Sequence, residues 1–307
     1  YAPVVDVLLP ARVVRFLEAG KVTLSDSVIT NNGSDGVGIA DGSNGVIVTG
    51  NVIAGNGSDG IEVIGDNAVI KSNLIGVLAD GVTPAGNTGN GIFLSVDSDG
   101  TVIGAVGEGN VIGANRRGIQ SDRGQTFTVQ GNSIGVDATG TVDLGNTEEG
   151  IEIFGAGGGT DVDALIGGTG AGEGNTIAFN GFDGIAIVSN ATDVAIRGNS
   201  FFDNGDLAID LGANGVTAND AGDGDTGPNN LQNFPDITFA GTDGSSITID
   251  GVLDSLAGSY EVDFFTSPTA DPTGFGEGRV YIGTATVTAG VAFSETFTGP
   301  FTGGDTI

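Results

Sequence analysis

One short phrase recurs seven times and limits what this chain can fold into. An Asn is followed, about four residues on, by a small residue and then by an apolar-x-apolar segment. The copies are Asn32…Gly36-Val37, Asn56…Gly60-Ile61, Asn87…Gly91-Ile92, Asn115…Gly118-Ile119, Asn146…Gly150-Ile151, Asn180…Gly184-Ile185 and Asn204…Ala208-Ile209. The steps between the small residues are 24, 31, 27, 32, 34 and 24 residues. Self-similarity at this period marks a solenoid, in which each repeat is one coil stacked on the last.

Each coil divides into two or three short strands. In the clearest, Val46-Ile47-Val48 and Val52-Ile53 precede Asn56 and Ile61-Glu62-Val63. Apolar residues alternate, so one face of each strand is buried. Strands this short, broken by Gly, Asn and Asp, suit parallel pairing with their equivalents in the next coil. The expected spacing is about 4.8 Å. A turn asparagine tolerates left-handed backbone and bonds nearby main chain. Stacked inside a solenoid, it also bonds the Asn above and below. Asn32, Asn56, Asn87, Asn115, Asn146, Asn180 and Asn204 are therefore read as a structural ladder, with no ligand role.

Composition narrows the chemistry. Gly makes up 58 of 307 residues without a collagen triplet. Cys and His are both absent, which removes disulfides, thiolate sites and the Ser-His and Cys-His nucleophile pairs. The formal charge of -30 argues against nucleic acid as a partner. It suits a soluble surface protein, a cation binder or a halophile. No apolar run is long enough to predict a transmembrane span. A start at Tyr1, without Met or a signal peptide, reads as a processed chain or a fragment.

The phrases IGVDATGTVDLGN, IGGTGAGEGNTIAFN and DGIAI resemble the right-handed parallel β-helix repeats of large secreted bacterial surface proteins, within the pectin-lyase-like superfamily. The likeness covers about residues 20–235. It implies an all-β, right-handed parallel β-helix of three-faced coils. It leaves activity open, because lyases, hydrolases, epimerases, tailspikes and adhesins share that superfamily.

Four regions follow. Residues 1–19 form an N-terminal cap or a subunit contact, with 8–17 as a strand or a short helix. Residues 20–211 form the β-helix. Residues 212–235 are an acidic Gly/Asn/Asp linker, whose segment GPNNLQNFP resembles the link to a β-sandwich in those surface proteins. Residues 236–307 have longer strands, such as Tyr260-Glu261-Val262-Asp263-Phe264, and read as a small immunoglobulin-like β-sandwich. This sandwich is short, so it is either truncated or completed by a strand from a neighbouring subunit.

Three clusters are candidates for chemistry. Aligning the coils puts Gly38, Glu62, Phe93, Gln120, Glu152, Ala186 and Asp210 in one outward column. A glycosidase needs two carboxyl groups about 5–9.5 Å apart. Glu62 and Glu152, three coils apart, would be separated by roughly 14 Å, and Glu152 and Asp210, two coils apart, by roughly 9–10 Å. Arg116, Arg117 and Arg123 concentrate cations in a very acidic chain, with Arg117 near Glu149 and Glu152. They read as a salt-bridge set or, with Glu152 and Asp210, as the enzymatic alternative. Asn219, Asp220, Asp223 and Asp225 form the densest oxygen cluster, which is either an acidic linker or a calcium site. Asp35, Asp59 and Asp183, each just before a strand glycine, are assigned to the turn.

No catalytic residues are assigned. The expected function is an extracellular structural or surface protein. A rigid rod would assemble with copies of itself into a filament or surface layer, by strand donation to the sandwich. The alternatives are a polysaccharide-binding or polysaccharide-cleaving β-helix and an adhesin or tailspike-like module.

Overall fold

A computed structural model describes residues 4–7, 14–123, 125–155, 161–271, 274–301 and 307, with backbone alone at 4–7 and at 161. The chain is an all-β, right-handed parallel β-helix followed by a small antiparallel sandwich. Each coil gives one strand to each of three sheets. The first sheet runs from Val14–Leu17 through Val37–Ile39, Ile61–Val63, Ile92–Leu94, Ile119–Ser121, Ile151–Phe154 and Ile185–Val188 to Ile209–Leu211, all parallel. The second runs from Thr23–Ser25 to Thr192–Arg197, and the third from Val28–Thr30 to Ser200–Phe202. The parallel stack thus takes in Val14–Leu17, which the sequence assigned to a cap.

The interior is built from columns. In the third sheet Ile29, Ile53, Ile75, Ile112, Ile134, Ile177 and Phe201 stand in register. All are buried. Each fully buried Ile contributes about 1.5–3 kcal/mol.

Two asparagine ladders line the bends. In the expected one, each side-chain amide from Asn32 to Asn180 donates to the Oδ1 of the next, at 2.8, 2.8, 2.9, 3.3, 2.9 and 2.9 Å. The same Oδ1 also accepts the preceding rung's backbone N–H, as Asn56 does from Asn32 at 3.1 Å. A second ladder joins Asn51, Asn73, Asn110, Asn132, Asn175 and Asn199, with amide contacts of 3.0, 2.9, 2.8, 2.9 and 2.9 Å. The stacking of this second set is a finding of the structure. Each such amide is buried and bonded, which avoids the 1–3 kcal/mol or so that an orphaned polar group costs.

Close stacking explains the glycine of the repeated phrase. A Cβ on Gly60, Gly91, Gly118 or Gly150 would lie 2.6, 2.6, 2.4 or 2.6 Å from the carbonyl oxygen of the next glycine in the column. No side chain fits there. The last copy is Ala208, and no further parallel strand follows Ile209–Leu211 among the described residues.

Each end of the stack is covered in part, with Thr23–Ser25 and Val28–Thr30 ending the second and third sheets at the first coil among the described residues. Val4–Val7 pairs antiparallel with Val14–Leu17 and closes the first sheet. Residues 8–13, the rest of the 8–17 segment, lie outside the described residues. At the other end sits the sandwich. One sheet holds Asp236–Thr242, Ser246–Val252 and Phe293–Thr298, and the other Ser259–Thr266 and Val280–Thr288. Ile247, Ile249, Leu253, Phe264, Val287 and Phe293 form its core.

The sandwich docks on the last coil. The Arg197 guanidinium holds Asp263 in a two-point pair at 2.7 and 2.8 Å, and Glu261 at 2.5 Å. Phe201 N–H donates to the Gly278 carbonyl at 2.9 Å, and the Arg279 guanidinium lies 4.0 Å above the Phe202 ring. Segment 212–235 is fastened as well: the Asn229 amide bonds both main-chain groups of Val194, at 3.1 and 2.8 Å.

Candidate functional site

The outward column has the expected membership, with Arg15 added before Gly38. Glu152 and Asp210 are two rungs apart with Ala186 between them. Glu152 is not free to face a substrate. Arg117 sits one coil back and meets three carboxylates: Glu148 at 2.6 Å, Glu149 at 2.6 Å and Glu152 at 2.9 Å. Burial pushes the Glu152 carboxyl up to about 7, against the opposing pull of Arg117. Arg116 pairs with Glu148 at 2.9 Å. Arg123 instead turns to its neighbour Asp122 at 3.6 Å and is exposed, so the three arginines do not form one cationic site.

Beyond this cluster the same face opens into a cavity of about 670 Å³. Glu149, Asp183, Asp206 and Asp210 line it, with Phe182 and the sandwich residue Phe275. Asp183 and Asp210 are buried. Asp183 sits in the turn before Gly184, and its Oδ1 accepts the Leu207 N–H at 3.0 Å. Asp35 and Asp59 take the next coil's N–H in the same way, at 3.0 and 2.6 Å. Burial first, and then the charges of Asp210, Asp206 and Glu149, together raise the Asp183 carboxyl to about 6 against the Leu207 bond. Asp210 Oδ2 accepts the Gly215 N–H at 2.7 Å, while Oδ1 is buried with no hydrogen-bond donor. The two walls of this cavity come from residues far apart in sequence, and the sequence reading did not find it.

A second acidic centre lies where segment 212–235 meets the sandwich. One oxygen each of Asp220, Asp223 and Asp225 lie within 4.8 Å of one another. Asp223 is positioned by the Asn233 N–H at 2.9 Å and the Ser255 hydroxyl at 2.5 Å. Asp220 Oδ1 and Asp225 Oδ1 are buried without a donor. Oxygen-only donors and two uncompensated carboxylate oxygens fit a hard divalent cation. Asn219 is fastened to Phe234. Its amide is used in both directions by Phe234, at 2.8 and 3.0 Å.

Residues 13–164 match the family model described as a right handed beta helix region. No curated protein and no solved structure matches the chain.

Proposed function

We propose that the protein is a structural, non-catalytic β-helix rod of an extracellular or cell-surface assembly, joined to copies of itself through the sandwich. The observation that carries this reading is the strand Asp236–Thr242. It ends its sheet among the described residues, and every residue in it except Gly241 is exposed. Ile237 and Phe239 are 42% and 52% exposed. Such an edge, with free N–H and C=O groups beside apolar side chains, is a template for another strand. The ends of the solenoid are less suited to joining, because the sandwich covers one and Val4–Val7 closes the first sheet at the other. Donation of residues 1–17 would first require that hairpin to open.

The extracellular setting rests on the likeness to surface-protein repeats and on the strong negative charge. The enzymatic alternative is weaker: Glu152 is held by Arg117, and its distance from Asp210 is at the limit for a carboxyl pair. Calcium belongs to the proposal as a stiffener of the joint, held by Asp220, Asp223 and Asp225.

Electron microscopy and light scattering on the whole chain test the assembly. The expected result is concentration-dependent oligomers or filaments, lost in an Ile237→Lys/Phe239→Lys variant that keeps its circular dichroism. Unchanged assembly by that variant, or a wild-type chain that stays monomeric throughout, would overturn the reading. Release of reducing or unsaturated ends from acidic polysaccharides would restore the enzymatic alternative.

A further inference from the structure

The cavity beside Asp210 has a charge problem that the chain does not solve internally. Its buried carboxylates, Glu149, Asp183 and Asp210, are joined at the rim by Asp206. Arg117 compensates Glu149 from behind but is already shared among three glutamates. Among the described residues, no Lys or Arg lines the cavity. Asp210 is 3% exposed, and its Oδ1 faces no donor. Single backbone N–H bonds do not neutralise buried carboxylates, and a carboxylate oxygen left without a donor is unfavourable, so a site of this kind favours a positive ligand.

The spacing of the carboxylates decides which kind. Among the described residues, the trio with oxygens close enough to share one metal ion is Asp220, Asp223 and Asp225. The cavity carboxylates do not converge in that way, and the space is far larger than an ion. An extended ligand with its charges spread out matches better. The rim is aromatic, with Phe182 47% and Phe275 54% exposed, and ring faces attract ammonium groups. A neutral saccharide would leave the charges unpaired.

We infer that this cavity binds an organic ligand carrying two or more primary ammonium groups. Asp210 and Asp183 take the ammonium donors, and Phe182 and Phe275 flank the chain between them. The inference stands apart from the assembly reading, since the cavity lies on the last coils and not on the Asp236–Thr242 edge.

Calorimetric titration of the whole chain tests it, with spermidine as one probe and a glucosamine tetramer as the other. The expected result is a one-site isotherm for at least one probe, and the tighter of the two identifies the source of the ammonium groups. Asp210→Asn should weaken binding at least tenfold, and Phe275→Ala, at an exposed position, about threefold. Asp26→Asn, which removes the same charge near the other end of the stack, should leave it unchanged. No binding of either probe at millimolar concentration would overturn the proposal. So would equal weakening by Asp210→Asn and Asp26→Asn, which would mean diffuse attraction to an acidic surface. If Asp210→Asn fails to fold, unchanged binding by Phe275→Ala overturns it.

Discussion

Glu277 takes the next step of the asparagine column beyond Asn204. Its Oε1 accepts the Asn204 amide at 2.6 Å and the Asn204 backbone N–H at 3.2 Å, which are the two bonds that each earlier rung gives to the Asn above it. A side chain of the sandwich thus completes a ladder built by the β-helix. Glu277→Ala should orphan both donors and destabilise the chain by about 1–3 kcal/mol. Glu277→Gln, which keeps an acceptor, should recover most of that. Thermal melts of the two variants side by side check this, and equal losses would mean that Asn204 does not depend on the acceptor.

The glycine column makes a positional prediction. An added methyl at Gly118 would meet the Gly150 carbonyl oxygen at 2.4 Å and the Ile134 side chain at 2.7 Å. Gly118→Ala should cost about 1–3 kcal/mol or more through overpacking. Ala208→Gly, at the last copy, should cost at most about 1 kcal/mol, from backbone entropy. Urea denaturation of both variants provides the comparison.

Stability should fall as pH rises. In the folded chain Glu152 sits at about 7 and Asp183 at about 6, both above their ordinary values of 4.5 and 3.8. The folded state therefore holds protons that the unfolded chain has released. The stabilisation from these groups is complete below about pH 4 and is lost as pH rises through 6 and 7. Repulsion within a chain of charge -30 acts in the same direction. The melting temperature should be higher at pH 5 than at pH 8, and a Glu152→Gln/Asp183→Asn variant should show a shallower slope. A slope unchanged by that variant would assign the effect to overall charge alone.

The aspartate trio offers a spectroscopic test. Ser255 links Asp223, at 2.5 Å, to the Tyr260 hydroxyl, at 3.0 Å. The chain has three Tyr and no Trp, so Tyr260 is the natural sensitiser for terbium bound there. Terbium emission excited through tyrosine should appear, fall on adding calcium, and disappear in Asp223→Asn/Asp225→Asn. Loss of emission in Tyr260→Phe, with calcium stabilisation kept, would place the ion beside that ring.

The coil architecture was legible because its chemistry is local and periodic. Asn32 to Asn204 and Gly36 to Gly184 repeat at an offset of four residues, three only from Asn115 to Gly118, and both columns are held by contacts between adjacent coils. The second ladder repeats just as well, as Asn-x-Ile from Asn51 to Asn175. It went unread as a ladder because no uniform glycine marks it: four residues on stand Gly55, Val77, Ala114, Val136 and Phe179. The column arithmetic also placed Glu152 and Asp210 correctly relative to each other, since register in a parallel stack follows from the strand count. The cavity was not legible. Phe275 comes to the last coil through the docked sandwich, and pairs such as Arg197 with Asp263 or Asn204 with Glu277 occur once, with no period to reveal them.

A stack of equivalent rungs has no natural length. Each coil presents on its outgoing face the same groups that it meets on its incoming one, so nothing within a coil says how many should follow. Here the count is ended by substitution rather than by a separate module alone. Ala208 stands where a following coil would require glycine, and a carboxylate stands where a following coil would supply an amide. Lengthening the rod therefore means inserting coils ahead of Ala208, where both incoming and outgoing faces are already matched. Coils added after it would meet a methyl group and a negative charge.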